Sequence, residues 1–382
     1  MSGYYPKTDM RYLSCLLIGL ILTSSLLAQN SSKAPRLPIG SDAPPFSLPG
    51  VDGKQHSLED YGDSRLLVIA FTCNHCPTAQ AYEERLKELA NRYSSEDVAI
   101  VAISPNDDKA VRIDELGYTE YNDSLEEMKL RAAEAGYNFP YLYDGEDQKV
   151  SWAYGALVTT HILVFDEDRK LRYNGRVDDN DNPSIAKSHD AGNAIDALLA
   201  GKPVPVEETK VFGCSVKWSS KRSMVADYLE KWNEEETSVS MLEPDQVKAL
   251  SSNGTEKLRL INVWATWCGP CVIEFPDLVD LHRQFRKREF EVISVSMDLP
   301  NKQRQVEGFL AKQHASMTNY LFNSQDRFAL IDHLDGDNWE GSLPYTMLVD
   351  PDGNVLYRVE GQFEVMEVKK KIVGYLGRTY FD

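Results

Sequence analysis

One pattern occurs twice in this 382-residue chain, and it restricts the fold more than any other feature. An apolar run that reads as a buried strand stops at two cysteines spaced C-x-x-C, and an amphipathic helix follows. In the second copy the run LRLINVW (258–264) leads to Cys268-Gly269-Pro270-Cys271, after which Ile273, Leu278, Leu281 and Phe285 recur near a helical period. In the first copy LLVIAF leads to Cys73-Asn74-His75-Cys76. Later segments repeat in the same order. FEVISVSMD (290–298) matches VAIVAISPND from Val98, and LPYTMLVDPDGNVLYRVEG (343–361) matches VTTHILVFDEDRKLRYNGR from Val158. A period of about 195 residues is too long for a solenoid and means two copies of one domain.

The strand-to-helix junction also carries a chemical expectation. Free backbone N–H groups and the helix dipole favour an anion there. The anion such a junction would hold is a thiolate, so Cys268 is expected to titrate below the ~8.5 of a free thiol. Composition shifts divide the chain into a leader (1–28), a polar lead-in (29–40), a first domain (41–219), a linker (220–236) and a second domain (237–382). The leader has Lys7 and Arg11 before the apolar run from Tyr12 to Ala28, the pattern of a signal peptide. The run is marginal for a membrane span of about 20 residues, so an uncleaved anchor is the alternative. Export implies a compartment in which disulfides persist. Of six cysteines, Cys15 falls in the leader, four form the two C-x-x-C pairs, and Cys214 is left over. That concentration points to redox work instead of stapling.

Trp267-Cys268-Gly269-Pro270-Cys271 in this setting resembles the active site of the thioredoxin superfamily. The resemblance implies an α/β fold: two tandem thioredoxin-fold domains, each a central mixed β-sheet flanked by helices. It also implies that Pro344, in Leu343-Pro344-Tyr345, is cis and faces the cysteines from the start of a strand. Asn262 stands where cytosolic thioredoxins carry an acid, and Glu274 lies six positions after Cys268. That arrangement is similar to exported thiol-disulfide oxidoreductases of the cytochrome c maturation type. There the helix glutamate would take the proton from Cys271 as it resolves a mixed disulfide. Cys268 would attack the partner's disulfide, and Cys271 would release the product.

FTCNHCPT, with the later GRVDD, ALLAGKPV and FGCSVKW, resembles bacterial redoxins related to peroxiredoxins over residues 38–218. Cys73, Cys76 and His75 are the candidate second redox site, with His75 favouring the neighbouring thiolate. Such a site would be more oxidising than Cys268/Cys271, so a relay between the two is a corollary. Neither cysteine sits in the P-x-x-x-T-x-x-C setting of a peroxidatic thiol. Thr160 occupies the place of the facing proline, and a trans peptide is expected there because a non-proline cis bond costs about 2.5–4 kcal/mol. His161 would then stand near Cys73, Cys76 and His75, a set that could bind zinc or copper adventitiously. Cys214 is an inert buried thiol, a partner for an active pair, or an intermolecular link. DDNDN (178–182) fails as a calcium loop because Pro183 and His189 occupy the glycine and glutamate places.

A net charge of −18 argues against nucleic acid and anionic membrane surfaces as partners. The resulting expectation is an exported, periplasmic thiol-disulfide oxidoreductase acting on protein disulfides, supplied by an unidentified electron donor. It needs no cofactor and assigns no metal site. Membrane attachment follows only if the leader is retained. The alternatives are a thiol peroxidase, and a redox domain joined to a non-catalytic binding module.

Overall fold

The computed structural model describes residues 34–381, so the expected leader and the first five residues of the lead-in lie outside the described residues. The first half opens with a small hairpin, β1 (Ser47–Pro49) and β2 (Gln55–Ser57). Then follow β3 (Leu66–Phe71), α1 (Pro77–Ala81), α2 (Glu83–Arg92), β4 (Val98–Ser104), α3 (Leu125–Ala135), β5 (Tyr141–Tyr143) and α4 (Lys149–Ala153). The half closes with β6 (Val158–Thr159), β7 (His161–Phe165), β8 (Leu171–Gly175), α5 (Asp190–Leu199) and β9 (Cys214–Ser215). Its main sheet has the order β5-β4-β3-β7-β8. The β3, β4 and β5 strands run parallel, and β7 and β8 pair antiparallel.

The second half contains α6 (Arg222–Asn233), β10 (Ser240–Leu242), α7 (Val247–Ser251), β11 (Leu258–Trp264) and α8 (Gly269–Phe285). Next are β12 (Phe290–Ser296), α9 (Gln303–Lys312), β13 (Thr318–Phe322), α10 (Phe328–Leu334), β14 (Tyr345–Val349), β15 (Val355–Glu360) and α11 (Val365–Leu376). Its sheet, β10-β13-β12-β11-β14-β15, repeats the first one's frame and adds β10 at the edge. Both halves are mixed sheets flanked by helices, the tandem thioredoxin fold.

The period-2 alternation of a strand explains how each sheet is covered on both faces. In β3, Leu66, Val68 and Ala70 enter one core cluster while Leu67, Ile69 and Phe71 enter the other. In β11, Leu258, Leu260 and Trp264 pack under α8 with Phe275 and Leu278, whereas Ile261 and Val263 face the opposite core. The same alternation directs Asn262 toward α8.

Most of segment 220–236, read from composition as a linker, is the helix α6. It is tied to both halves: Arg222 pairs with Asp107 at 2.5 Å, and Asn233 accepts from Arg283 at 2.8 Å. The halves also meet directly. Gln284 donates to the carbonyls of Leu116 (3.0 Å) and Thr119 (2.8 Å), Arg288 to that of Gly117 (2.7 Å), and Lys287 pairs with Asp114 at 2.5 Å. These contacts all involve the C-terminal end of α8.

Candidate active sites

At the second junction Cys268 is the N-cap of α8, and its sulfur accepts from the Cys271 N–H at 3.3 Å. Cys268 and Cys271 are joined in a disulfide with Cα atoms 5.3 Å apart. Both are buried, while Trp267 beside them is 57% exposed, with the Arg327 guanidinium 5.1 Å over its ring. Leu343 packs against the cluster that holds both cysteines, and the Leu343–Pro344 bond is cis. Glu274 is one turn beyond Cys271 on the buried face of α8. Asn262 Nδ2 donates to Glu274 Oε1 at 2.8 Å and to Thr346 Oγ1 at 2.9 Å, and the Phe363 N–H donates to Oε2 at 3.2 Å. Burial pushes the Glu274 carboxyl up to about 7; the two N–H donors oppose this, and Asp277 adds to it. A buried carboxyl poised near neutrality, beneath a C-x-x-C, is suited to proton exchange.

The first junction is built differently. Sheet register pairs Ala70 with Ile162 in this half and Asn262 with Thr346 in the other. Counting forward from Ala70 and Asn262 makes Cys76 the counterpart of Cys268, and leaves Ala79 and Tyr82 in the places of Cys271 and Glu274. The helix starts agree. Cys76 is the N-cap of α1, and the Gln80 N–H donates to its carbonyl at 3.0 Å, as the Val272 N–H does to Cys268 at 3.1 Å. The expected match of Cys73/Cys76 with Cys268/Cys271 is therefore displaced by one C-x-x-C step. Matching on cysteine spacing misled it; the strand starts at Leu66 and Leu258, and Pro77 at the first helical position, carried the better signal.

With alanine in the resolving position, Cys76 takes its partner from elsewhere. It is joined to Cys214, 138 residues away, with Cα atoms 5.9 Å apart, so Cys214 is a disulfide partner and not an inert thiol. The β6–β9 pairing sets Cys214 opposite Thr159. Gly213 makes that approach feasible. Its φ is +134°, and a Cβ there would lie 2.0 Å from the Thr159 carbonyl oxygen. Cys73 is a buried free thiol that donates to Thr159 Oγ1 at 3.2 Å. The Thr159–Thr160 bond is cis, contrary to the expected trans form, so the first half keeps the backbone shape of the Leu343–Pro344 loop.

His75 and His161 also part company. His161, expected beside the cysteines, donates from Nε2 to Asn174 Oδ1 at 2.7 Å, and burial lowers it to about 4. His75 Nδ1 lies 2.6 Å from Asp123 Oδ2. The Asn74 and His75 N–H groups (2.8 and 3.2 Å) donate to Asp123 Oδ1, and Asn106 Nδ2 (2.8 Å) donates to Oδ2. Ligand-type atoms of Cys73, His75 and Asp123 all lie within 4.8 Å of one another. Burial works against a charged His75 ring, but Asp123 and then Cys73 overcome it and hold the ring up to about 10. Asp123 escaped the sequence reading because nothing local links it to a cysteine 50 positions away.

Comparison with known proteins finds a separate family for each half. Residues 38–195 match the family described as Redoxin, and residues 236–358 match the AhpC/TSA family. The chain is a tandem of two redoxin-type domains. It is 31% identical over 124 residues to the thiol:disulfide interchange protein HelX of Rhodobacter capsulatus, covering 32% of this chain and 63% of HelX. It is 26% identical over 131 residues to the thiol-disulfide oxidoreductase ResA of Bacillus cereus, covering 34% of this chain and 66% of ResA. The chain thus spans less than two thirds of the length of either relative. Among solved structures, an uncharacterized conserved protein from Geobacillus kaustophilus shares 42% identity over 49% of this chain and 95% of its own, with a TM-score of 0.43.

The Redoxin domain's disulfide and the AhpC/TSA domain's disulfide are far apart. Helix α8 has 17 residues, so at 1.5 Å per residue it is about 25 Å long. Cys268 sits at its start. His75 and Cys214 line a cleft with Lys287 and Arg288, just beyond its end. Among the described residues no helix is long and apolar enough to cross a membrane.

Proposed function

We propose that this protein is an exported thiol-disulfide oxidoreductase that exchanges disulfides with protein substrates through Cys268 and Cys271. The observation that carries this reading is the Cys268–Cys271 disulfide at the start of α8, with the buried Glu274 carboxyl raised to about 7 behind it. In the reductive direction Cys268 thiolate attacks a substrate disulfide and forms a mixed disulfide. Cys271 then attacks Cys268, giving up its proton to Glu274, and the substrate leaves as a thiol. Pro344 and Leu343 shape the groove, and the exposed Trp267 ring meets the substrate. The printed functions of HelX and ResA support the reaction class. The signal-like pattern of residues 1–28 supports export, with the periplasm as the compartment, and retention of that segment would attach the protein to a membrane. A separate electron donor must reduce the pair after each turnover.

The Cys76–Cys214 disulfide supports a second redox site in the first domain, with Cys73 and His75 beside it. Insulin reduction by the full chain tests the main assignment: Cys268→Ser abolishes it, and full retained activity refutes the assignment. Peroxide consumption that disappears in Cys76→Ser would instead favour the peroxidase reading of the first domain.

A further inference from the structure

The first domain holds three sulfurs in one packed cluster, yet only two are joined. Cys73 Sγ and Cys76 Sγ converge on one residue, lying 3.2 Å from Thr159 Oγ1 and 3.6 Å from the Thr159 carbonyl oxygen. Cys73 is therefore placed beside the Cys76 end of the disulfide. It also has the equipment of an activated nucleophile. Asp123 fixes the His75 ring through Nδ1, and His75 Nε2 is buried with no hydrogen-bond partner. A charged histidine oriented by a third group holds a neighbouring cysteine as the thiolate nucleophile. Asp123 takes four protein donors, so its place here is that of an orienting acceptor.

Taking the first domain as redox-active, we propose that Cys73 resolves the Cys76–Cys214 disulfide from inside, moving the bond to Cys73–Cys76 and releasing Cys214 as the thiol that meets an external partner. The Cys73 sulfur, already a thiolate beside the charged His75 ring, attacks Cys76 Sγ. The Cys73–Cys76 bond forms as the Cys76–Cys214 bond breaks, and the electron pair leaves on Cys214 Sγ. His75 gives its proton to that sulfur, so the step is an isomerisation with no net oxidation. Cys76 and Cys73 are buried, whereas Cys214 is only partly covered. His75 and Cys214 line the same cleft of about 320 Å³, which gives the proton a route and the released thiol an opening. The charges around the cleft are largely paired: Arg112 with Asp114 (2.9 Å), Lys217 with Glu115 (2.6 Å) and Lys287 with Asp114. The occupant that fits such walls is a thiol or disulfide on an uncharged, extended peptide segment.

Disulfide mapping of the full oxidised chain tests the exchange without any substrate. Samples are quenched in acid at intervals, alkylated, digested and analysed by mass spectrometry. Both linkages should appear and reach a constant ratio, and Cys214→Ser should hold Cys73–Cys76 quantitatively. In Asp123→Asn the approach to that ratio should slow by about 100-fold and become dependent on pH between 6 and 9, where the wild-type rate is flat. A slowing with no change in pH profile would reduce Asp123 to a structural role and overturn the relay. A single Cys76–Cys214 linkage in the wild type, with Cys73 never joined even in Cys214→Ser, would overturn the proposal. So would one equivalent of zinc retained by the reduced protein and lost in Cys73→Ser. Because insulin reduction through Cys268 is scored separately, failure of this exchange leaves that reading intact, and the reverse also holds.

Discussion

The two domains place a cysteine at the same point, the residue before the first helical turn, and then part ways. In the second domain the side chains proposed to act with Cys268 lie on the same helix: Cys271 at one turn, Glu274 at two. In the first domain the corresponding turns carry Ala79 and Tyr82, both buried apolar packing. The partner sulfur comes from β9, and the carboxylate of Asp123 from the segment before α3. The scaffold therefore supplies a nucleophile position and a cis peptide facing it, and each copy has filled the remaining roles from a different part of the chain. The distance of about one α8 length between the two disulfides adds a constraint. Sulfurs must touch to exchange, so a relay between the domains requires a carrier thiol, a second molecule or separation of the halves.

The largest effect that separates the copies is loss of the N-cap sulfur. Cys268→Ser should lower insulin reduction by at least about 100-fold, because the second domain then lacks the sulfur that attacks the substrate disulfide. Cys76→Ser in the same assay should stay within about twofold of the wild type. Equal losses would make the domains one catalytic unit and break the comparison.

Glu274→Gln should have the next largest effect, about 10- to 100-fold on turnover, with the rate's rise through pH 7 flattened. Stability should respond in the opposite sense. The folded carboxyl is raised from 4.5 to about 7, so the folded state binds that proton more tightly than the unfolded chain does. Its contribution is full below about 4.5 and is lost as pH rises through 7. Thermal melts of the wild type should show that decline, and Glu274→Gln should lack it.

Gly213→Ala sharpens the comparison from the other side. The added methyl would collide with the Thr159 carbonyl, so the oxidised variant should lose the Cys76–Cys214 link and expose an alkylatable Cys214. Insulin reduction through Cys268 should be unaffected. Trp267→Ala should do least: a rise of about two- to fivefold in KM for protein substrates at unchanged melting temperature, since the ring is mostly exposed.

What could be read from the amino-acid order follows the same division. Strands β3, β4, β11 and β12 and helices α3 and α5 announce themselves through alternation, helical period and caps, as with Ser124 accepting from the Glu127 N–H at the start of α3. The Cys268–Cys271 pair was legible because its partners lie within one helix. The amphipathic helix expected after Cys76 is two helices broken at Tyr82, which no local signal marked. The Cys76–Cys214 bond, the Asp123–His75 contact and the cis Thr159–Thr160 bond depend on segments brought together by the sheet. Spacing alone favoured the wrong cysteine pair, because C-x-x-C looks the same whether its first or its second member caps the helix.

The central claim is that Cys268 is the sulfur that meets the substrate. Cys271→Ala removes the resolving thiol and should leave protein substrates bound through a mixed disulfide at Cys268, released by reductant and absent in Cys268→Ala/Cys271→Ala. Complexes that persist in the double variant, or that map to Cys214, would contradict it.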